Sequence, residues 1–397
     1  MGKVFFTSEQ RASYAFLLRW IVIAIIAGVA GASMLALFQW LVDGGQALLL
    51  RIARDWRVPV PVFAVAAALL TGLVIYRISP DAAGEGVPSY LSALTRHRAH
   101  FPLTATLMKL PAAVFTLAAF GSGGVVGPVG RFVSGTLAAL LGHHHNELVR
   151  EERARTAAIC GMAATVGALF HAPLGGGIFA VEVIQRANMR YRDLFPGVLS
   201  GAVAVCFSRI VGFRPLVRVE TLDTLLSLNT VALTVGLAVI VGVLSGLFSH
   251  GYAVAVRLFR RSQGRVPVKV VAGMAAASLL VWLINPALLG TASEVTGSLA
   301  RGDVELLRGV FPPGSRLALV AFVMLVLRAT GAYLTTGSGM SAGLTAPAVQ
   351  IGMLAGVAAA DLLAPLIGAS ITAPFIVVGF VGMLAGAMNV PIAAAIL

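Results

Sequence analysis

What these 397 residues have least of is charge: Asp, Glu, Lys and Arg together make up 11% of the chain, where soluble domains carry about a quarter. That deficit excludes an ordinary soluble globule. Acidic residues are scarcer still, 16 against 29 basic ones, leaving a formal net charge of +13. Such a surplus invites a polyanionic partner. The basic residues, however, lie in short tracts between apolar runs, as in 51-RIARDWR-57, 96-RHRAH-100, 147-ELVREERAR-155 and 257-RLFRRSQGR-265. Cytoplasmic membrane faces carry such tracts and anionic lipid accounts for them, so lipid is an expected partner and nucleic acid is not. Cysteine is nearly absent: Cys160 and Cys206 stand in apolar contexts and give no disulfide framework. No catalytic triad, phosphate-binding P-loop or Cys/His metal spacing occurs. An enzyme is therefore not expected, nor is a resident cofactor or metal. The tract 143-HHH-145 lacks spaced partners and reads as a solvated loop.

What is abundant is apolar length. The chain is 58% hydrophobic, with a mean hydropathy of +0.92. Its runs are long enough to cross a bilayer core, which takes about 20 helical residues. They lack the strict alternation of barrel strands, so the expected fold is an all-α polytopic membrane protein. The stretch 21-IVIAIIAGVAGASMLALFQWLV-42 is too long for a signal-peptide core and reads as a retained span. Other runs are too short to span, and the 44 glycines and 18 prolines recur at their edges. Broken helices that stop at membrane depth are tolerated only around a polar cavity.

An internal repeat supports that architecture. The segment 121-GSGGVVGPVGRFVSGTLAA-139 can be laid on 337-GSGMSAGLTAPAVQIGMLA-355 at a constant offset, and 171-HAPLGGGIF-179 follows on 389-NVPIAAAIL-397. Two halves result, 58–215 and 216–397, after an N-terminal segment and first membrane helix at 1–57. The second half reads as truncated, because 391-PIAAAIL-397 ends in mid-span. A glycine-rich loop that runs into a helix leaves the first amides unpaired, and with the helix dipole these bind an anion without a cationic side chain. Helices are predicted to begin near Gly130 and Ala346. A third begins in 84-GEGVPSYLSAL-94, with Pro88 in its first turn.

These loops resemble the signatures of the CLC family of chloride channels and proton/chloride antiporters, approximately GSGIP, GREGP and GxFxP. They are matched by 84-GEGVP-88, 127-GPVGR-131 and 343-GLTAP-347, and 172-APLGGGIFAVEV-183 resembles the helix that carries the family's internal glutamates. The likeness covers about residues 60 to 397. It implies an inverted repeat of broken and tilted helices, a homodimer, one pathway per subunit for a small inorganic anion, and a location in a bacterial inner membrane. It also implies further helices after Leu397, one of them bearing a tyrosine at the anion site. Chloride is then cargo rather than cofactor.

By this resemblance the anion-binding positions are Gly84, Glu85, Gly86, Val87, Gly127, Pro128, Val129, Gly130, Arg131, Gly343, Leu344, Thr345 and Ala346. Three departures decide the functional expectation. Val129 takes the place of the family's gating glutamate, and Val183, after the retained Glu182, that of its internal proton glutamate. Neither valine can titrate, so passive, proton-uncoupled chloride flow is the leading expectation. Against it stands Glu85, in place of the first loop's serine: a solvated helix cap, or a relocated gate that occupies the anion site. With Glu85 or Glu182 carrying protons, the alternative is a proton-coupled halide antiporter. A third reading is a scaffold or sensor without useful flux. Lys109 is either a buried counter-charge or a snorkelling side chain, Arg131 lies either on the pathway or in solvent, and Thr345 replaces the third loop's phenylalanine.

Overall fold

In the computed structural model, residues 8–185, 191–217, 228–262, 265–308, 311–312, 314–367 and 372–397 are described. The first half comprises α1 (Ser8–Trp56), α2 (Val60–Leu70), a π-turn at Thr71–Ile75, α3 (Tyr76–Ile78), a 3-10 turn at Pro80–Ala82 and α4 (Val87–Arg96). It continues with α5 (Leu103–Ala118), α6 (Val126–Leu141), α7 (Glu147–Phe170), α8 (Pro173–Gln185) and α9 (Tyr191–Ile210). The second half comprises α10 (Leu228–Arg261), α11 (Val266–Ile284), a 3-10 turn at Pro286–Leu288, α12 (Ser293–Ala300) and α13 (Glu305–Arg308). It ends with α14 (Leu317–Gly337), α15 (Thr345–Ile367), α16 (Thr372–Met388) and α17 (Pro391–Ile396). Among the described residues seven helical stretches are long and apolar enough to cross a membrane, while Leu103–Ala118, Val126–Leu141, Pro173–Ile184 and Thr372–Met388 are apolar but shorter. The chain is an integral, multi-pass, all-helical membrane protein. Exposed Val235, Val239, Ile240, Val243 and Leu247 give α10 an apolar outer face.

The repeat is present, but its register is not the expected one. The linkers 119–125 and 338–344 are equal in length, and α6 and α15 begin at Val126 and Thr345, an offset of 219. The glycine match of the sequence comparison is offset by 216, three residues short. Gly124 and Gly343 exchange reciprocal backbone hydrogen bonds of 2.7 and 2.8 Å in an antiparallel bridge, as two copies do across a local two-fold axis. Earlier in each half, Gly84 (φ +71°) and Gly290 (φ +65°) precede α4 and α12 in the same way. Each follows a 3-10 turn opened by an extended residue, Ser79 or Asn285. The helix α1, set apart as 1–57 in the sequence, packs on α5 and α7 as α10 packs on α14 and α16. It thus has a counterpart in the second half. Close crossings need residues without side chains: a Cβ on Gly352 of α15 would collide with the Gly379 carbonyl of α16.

Candidate functional site

Three helix N-termini meet where the repeats touch. Gly86 caps α4, with Pro88 in its first turn as the sequence predicts. Val125 and Gly124 lead into α6, and Gly343 and Leu344 into α15. A Cβ on Gly86 would overlap the Gly127 carbonyl, so α4 and α6 touch backbone to backbone. Gly86→Ala is therefore expected to push the two N-termini apart and cost about 1–3 kcal/mol, read as a fall in the thermal midpoint of the detergent-purified protein.

The carboxylate of Glu85 lies among these N-termini. The side chain is only 9% exposed, and its Oε1 lies 2.6 Å from where a Cβ on Gly127 would stand. The amides of Val87, Leu344 and Gly86 face the carboxyl, with the charge of Lys109 nearby. None reaches Oε1 with full hydrogen-bond geometry, which leaves a buried acceptor without a partner. A carboxylate here is where the positive ends of the dipoles favour negative charge. Of the alternatives for Glu85, the solvated cap is the one this burial disfavours.

Lys109 of α5 does not snorkel. It is 2% exposed and donates to the carbonyls of Ala82 (3.1 Å), Ala83 (3.3 Å) and Gly84 (2.5 Å). All three ammonium donors hold the loop ahead of α4, so its charge acts on Glu85 through space. Its counterpart at offset 219, missed in the sequence, is Arg328 of α14. This side chain is completely buried. It donates to Ser122 Oγ (2.8 Å) and to the carbonyls of Leu288 (3.0 Å), Gly290 (2.9 Å) and Thr291 (3.1 Å). Each half thus carries one buried cation that clamps the carbonyls before its short helix. The pair Pro128/Pro347, also 219 apart, was the sequence signal that fixes this register.

The register moves several sequence-predicted residues. The segment equivalent to 343-GLTAP-347 is 124-GVVGP-128, in which Gly124 and Val125 precede α6 while Val126, Gly127 and Pro128 form its first turn. Val129 is fully buried within α6, and a Cβ on Gly130 would meet Met162 Sδ of α7. Arg131 is buried and turned along α6, away from its N-terminus: Nη1 donates to Thr106 Oγ1 at 2.8 Å and the guanidinium lies 4.6 Å from the Phe101 ring centre. It is in neither solvent nor the loop. The helix starts four residues before Gly130 because Gly124, not Gly127, makes the inter-repeat bridge. Val126→Glu, at the mouth of a dipole and a niche, is expected to fold, whereas Val129→Glu buries a carboxylate in packed core and costs several kcal/mol. Yield of monodisperse protein for the two variants checks this.

Leu344 contributes its amide, Thr345 opens α15 with its hydroxyl donating to Met388 Sδ at 3.8 Å, and Ala346 packs near Gly124. Glu182 is 1% exposed, and its two oxygens accept from the amides of Ile392 (3.0 Å) and Ala393 (2.8 Å) at the start of α17. Val183 is buried beside it. On one side of Glu85 opens a cavity of about 1110 Å³, lined among others by Tyr76, Pro88, Ser89, Tyr252 and Thr336. On the other side, past Val126, is a niche of about 20 Å³ lined by Gln39, Thr291, Ser293 and Thr345. The buried Oε1 of Gln39 has no partner. One water fits there.

The chain is similar to known proteins in sequence and in fold. Residues 67–397 match the profile of the voltage gated chloride channel family. The chain is 24% identical over 405 residues to the H(+)/Cl(-) exchange transporter ClcA of Klebsiella pneumoniae, covering 98% of this chain and 81% of that one. It is 27% identical over 390 residues to ClcA of Citrobacter koseri, covering 92% and 80%. Among solved structures it superposes on a CLC-type fluoride/proton antiporter with a TM-score of 0.76 at 20% identity, covering 99% of this chain and 91% of that one. A slow cyanobacterial Cl-/H+ antiporter gives 0.75 at 19%, covering 95% and 88%.

Proposed function

Since the chain belongs to the voltage gated chloride channel family, we propose that it moves a halide across the membrane in exchange for protons, with Glu85 as the proton carrier. The observation that carries this reading is the buried carboxylate of Glu85 among the amides of Gly86, Val87 and Leu344. Ionised, it occupies the place of the anion; two unit charges about 4 Å apart repel by about 4 kcal/mol at an effective dielectric of 20. Protonated, it loses that charge and the site accepts a halide. One group thus makes occupancy of the anion site depend on its own protonation, which is the elementary requirement for linking the two fluxes. The niche beyond Val126 offers the hydroxyls of Thr345 and Ser293 and the Gln39 carboxamide as the next polar groups on the far side. The relatives named as exchangers and antiporters support this reading over passive chloride flow.

Passive flow keeps one observation in its favour: Val129 and Val183 are aliphatic where the family resemblance implies protonatable glutamates, and so is Val126, which the inter-repeat register puts in the place of Val129. A homodimer in a bacterial inner membrane completes the proposal. The test is flux into proteoliposomes. A chloride or fluoride gradient alone is expected to drive protons uphill, and anion flux is expected to rise as pH falls and Glu85 is protonated. Anion efflux with no proton movement at any pH establishes the channel instead, and a folded protein with neither flux establishes the scaffold.

A further inference from the structure

We propose that the basic edge of the cavity of about 1110 Å³ is a binding site for the phosphate group of an anionic lipid, held by Arg77 of α3, Arg260 of α10, and Arg265 and Lys269 at the start of α11. These four cations come from separate stretches of the chain yet line one cavity, against the single acid Asp81. Among the described residues none of the four side chains makes an ion pair or a hydrogen bond. Neutral hydroxyls on the same wall are already engaged: Tyr76 donates to the Gly339 carbonyl (2.6 Å), Ser89 to that of Gly86 (2.8 Å) and Ser338 to that of Thr335 (2.9 Å). What this edge leaves unmatched is positive charge.

The fold sets these charges at the level of lipid headgroups. Three apolar stretches end or begin there: Val60–Ile78 ends just past Arg77, Val231–Arg261 ends just past Arg260, and Val266–Ile284 begins directly after Arg265. A Cβ on Gly72 would stand 3.0 Å from Pro267 Cα, so the stretch that carries Arg77 touches the start of α11. Next to the cations in the chain, Ile78, Leu258, Val266 and Val268 are exposed. Acyl chains cover such surface while the headgroup reaches the arginines.

Charge and shape select the ligand. A halide carries one charge and has no fixed directions for donors to match. A phosphate monoester presents several oxygens and up to two charges, and guanidinium groups bind it through paired N–H donors. Any basic tract at the end of a span attracts anionic headgroups diffusely; convergence on one cavity is what makes a site here. Arg257 and Arg261 provide the contrast. They stand within one turn of Arg260 on α10 and are exposed like it, but they do not line the cavity. Arg77, Arg260 and Arg265 are exposed as well, so replacing them removes charge without disturbing packing. The site does not depend on how Glu85 is read, because binding is measured without flux.

The experiment titrates the full chain in nonionic detergent with dioleoyl phosphatidic acid. Binding is read as lipid retained in native mass spectrometry and as a rise in the thermal midpoint. Dioleoyl phosphatidylcholine is the neutral lipid and glycerol 3-phosphate the free phosphate. Phosphatidic acid is expected to bind and raise the midpoint, and the other two to do neither at the same concentration. Arg260→Gln, Arg265→Gln is expected to weaken binding roughly ten- to thirtyfold, and Arg77→Gln from α3 about fivefold. The pair Arg257→Gln, Arg261→Gln removes the same charge from neighbouring positions and should weaken it far less. Equal weakening by the two double variants overturns the site in favour of diffuse attraction. Unchanged binding in Arg77→Gln overturns it too, since the cations would then not converge. Retention of phosphatidylcholine as strong as that of phosphatidic acid overturns recognition by charge, and an equal rise with glycerol 3-phosphate overturns the lipid as carrier of the phosphate.

Discussion

Glu85→Gln is expected to abolish halide-driven proton movement and leave anion flux that no longer responds to pH. Glutamine keeps the shape and one acceptor oxygen, so the N-termini of α4, α6 and α15 retain a polar guest, but the carboxamide can neither ionise nor carry a proton. The repulsion of about 4 kcal/mol that an ionised carboxylate exerts at roughly 4 Å is removed. At about 1.4 kcal/mol per factor of ten, halide affinity near neutral pH is expected to rise by several hundred-fold, measurable by isothermal titration with chloride or fluoride. At a pH low enough to protonate Glu85, variant and wild type should bind alike. Equal affinities across the whole pH range would remove Glu85 from the anion site and return the molecule to passive flow past Val126.

The second large effect concerns Arg328→Met. Methionine fills a similar length of the buried channel through α14 but donates nothing. The Leu288 carbonyl and Ser122 Oγ lose the donor that Arg328 supplies, while the carbonyls of Gly290 and Thr291 keep the Gly123 amide and Gln350 Nε2. Water cannot replace it at a side chain with no exposure. Stranding buried acceptors costs about 1–3 kcal/mol each when no partner returns, so a loss of about 2–5 kcal/mol follows, seen as failure to recover monodisperse protein or a lowered thermal midpoint. Arg328→Lys is expected to recover only part of this, because one ammonium cannot span the same set of carbonyls as a planar guanidinium. If the methionine variant retains full stability, the clamp on the second repeat is not what orders α12.

The loops show where reading the sequence succeeded and where it failed. Pro88 marked the start of α4 because proline at a first helical position leaves few alternatives. The second loop was ambiguous: in 121-GSGGVVGPVG-130, sliding the alignment by three residues still places glycine on glycine. The sequence comparison followed the glycines to an offset of 216, and it put Val129 at the gate. The Gly124–Gly343 bridge fixes 219 instead, which makes Val126 and not Val129 the counterpart of Thr345 at the head of its helix. The functional consequence survives, since both residues are valine, but Gly130 and Arg131 leave the site. Arg328 was overlooked for a related reason. A single arginine in an apolar helix carries no motif, and it becomes informative only once paired with Lys109 by the correct register.

The sequence by itself determined that this is a helical membrane protein built from two related halves, because lipid demands apolar helices and a repeat leaves its punctuation in glycine and proline. It also determined that the second loop carries no carboxyl, since 121-GSGGVVGPVG-130 contains neither aspartate nor glutamate. Only the tertiary structure decided where Glu85 lies. Whether a carboxylate beside a glycine turn is a solvated cap or a guest among three N-termini depends on backbone from residues 127 and 344, far away in the chain. The same holds for Glu182, whose amide partners are some 210 positions distant. Side-chain chemistry is written locally, but the burial that gives a charge its meaning is made by the packing of one half against the other.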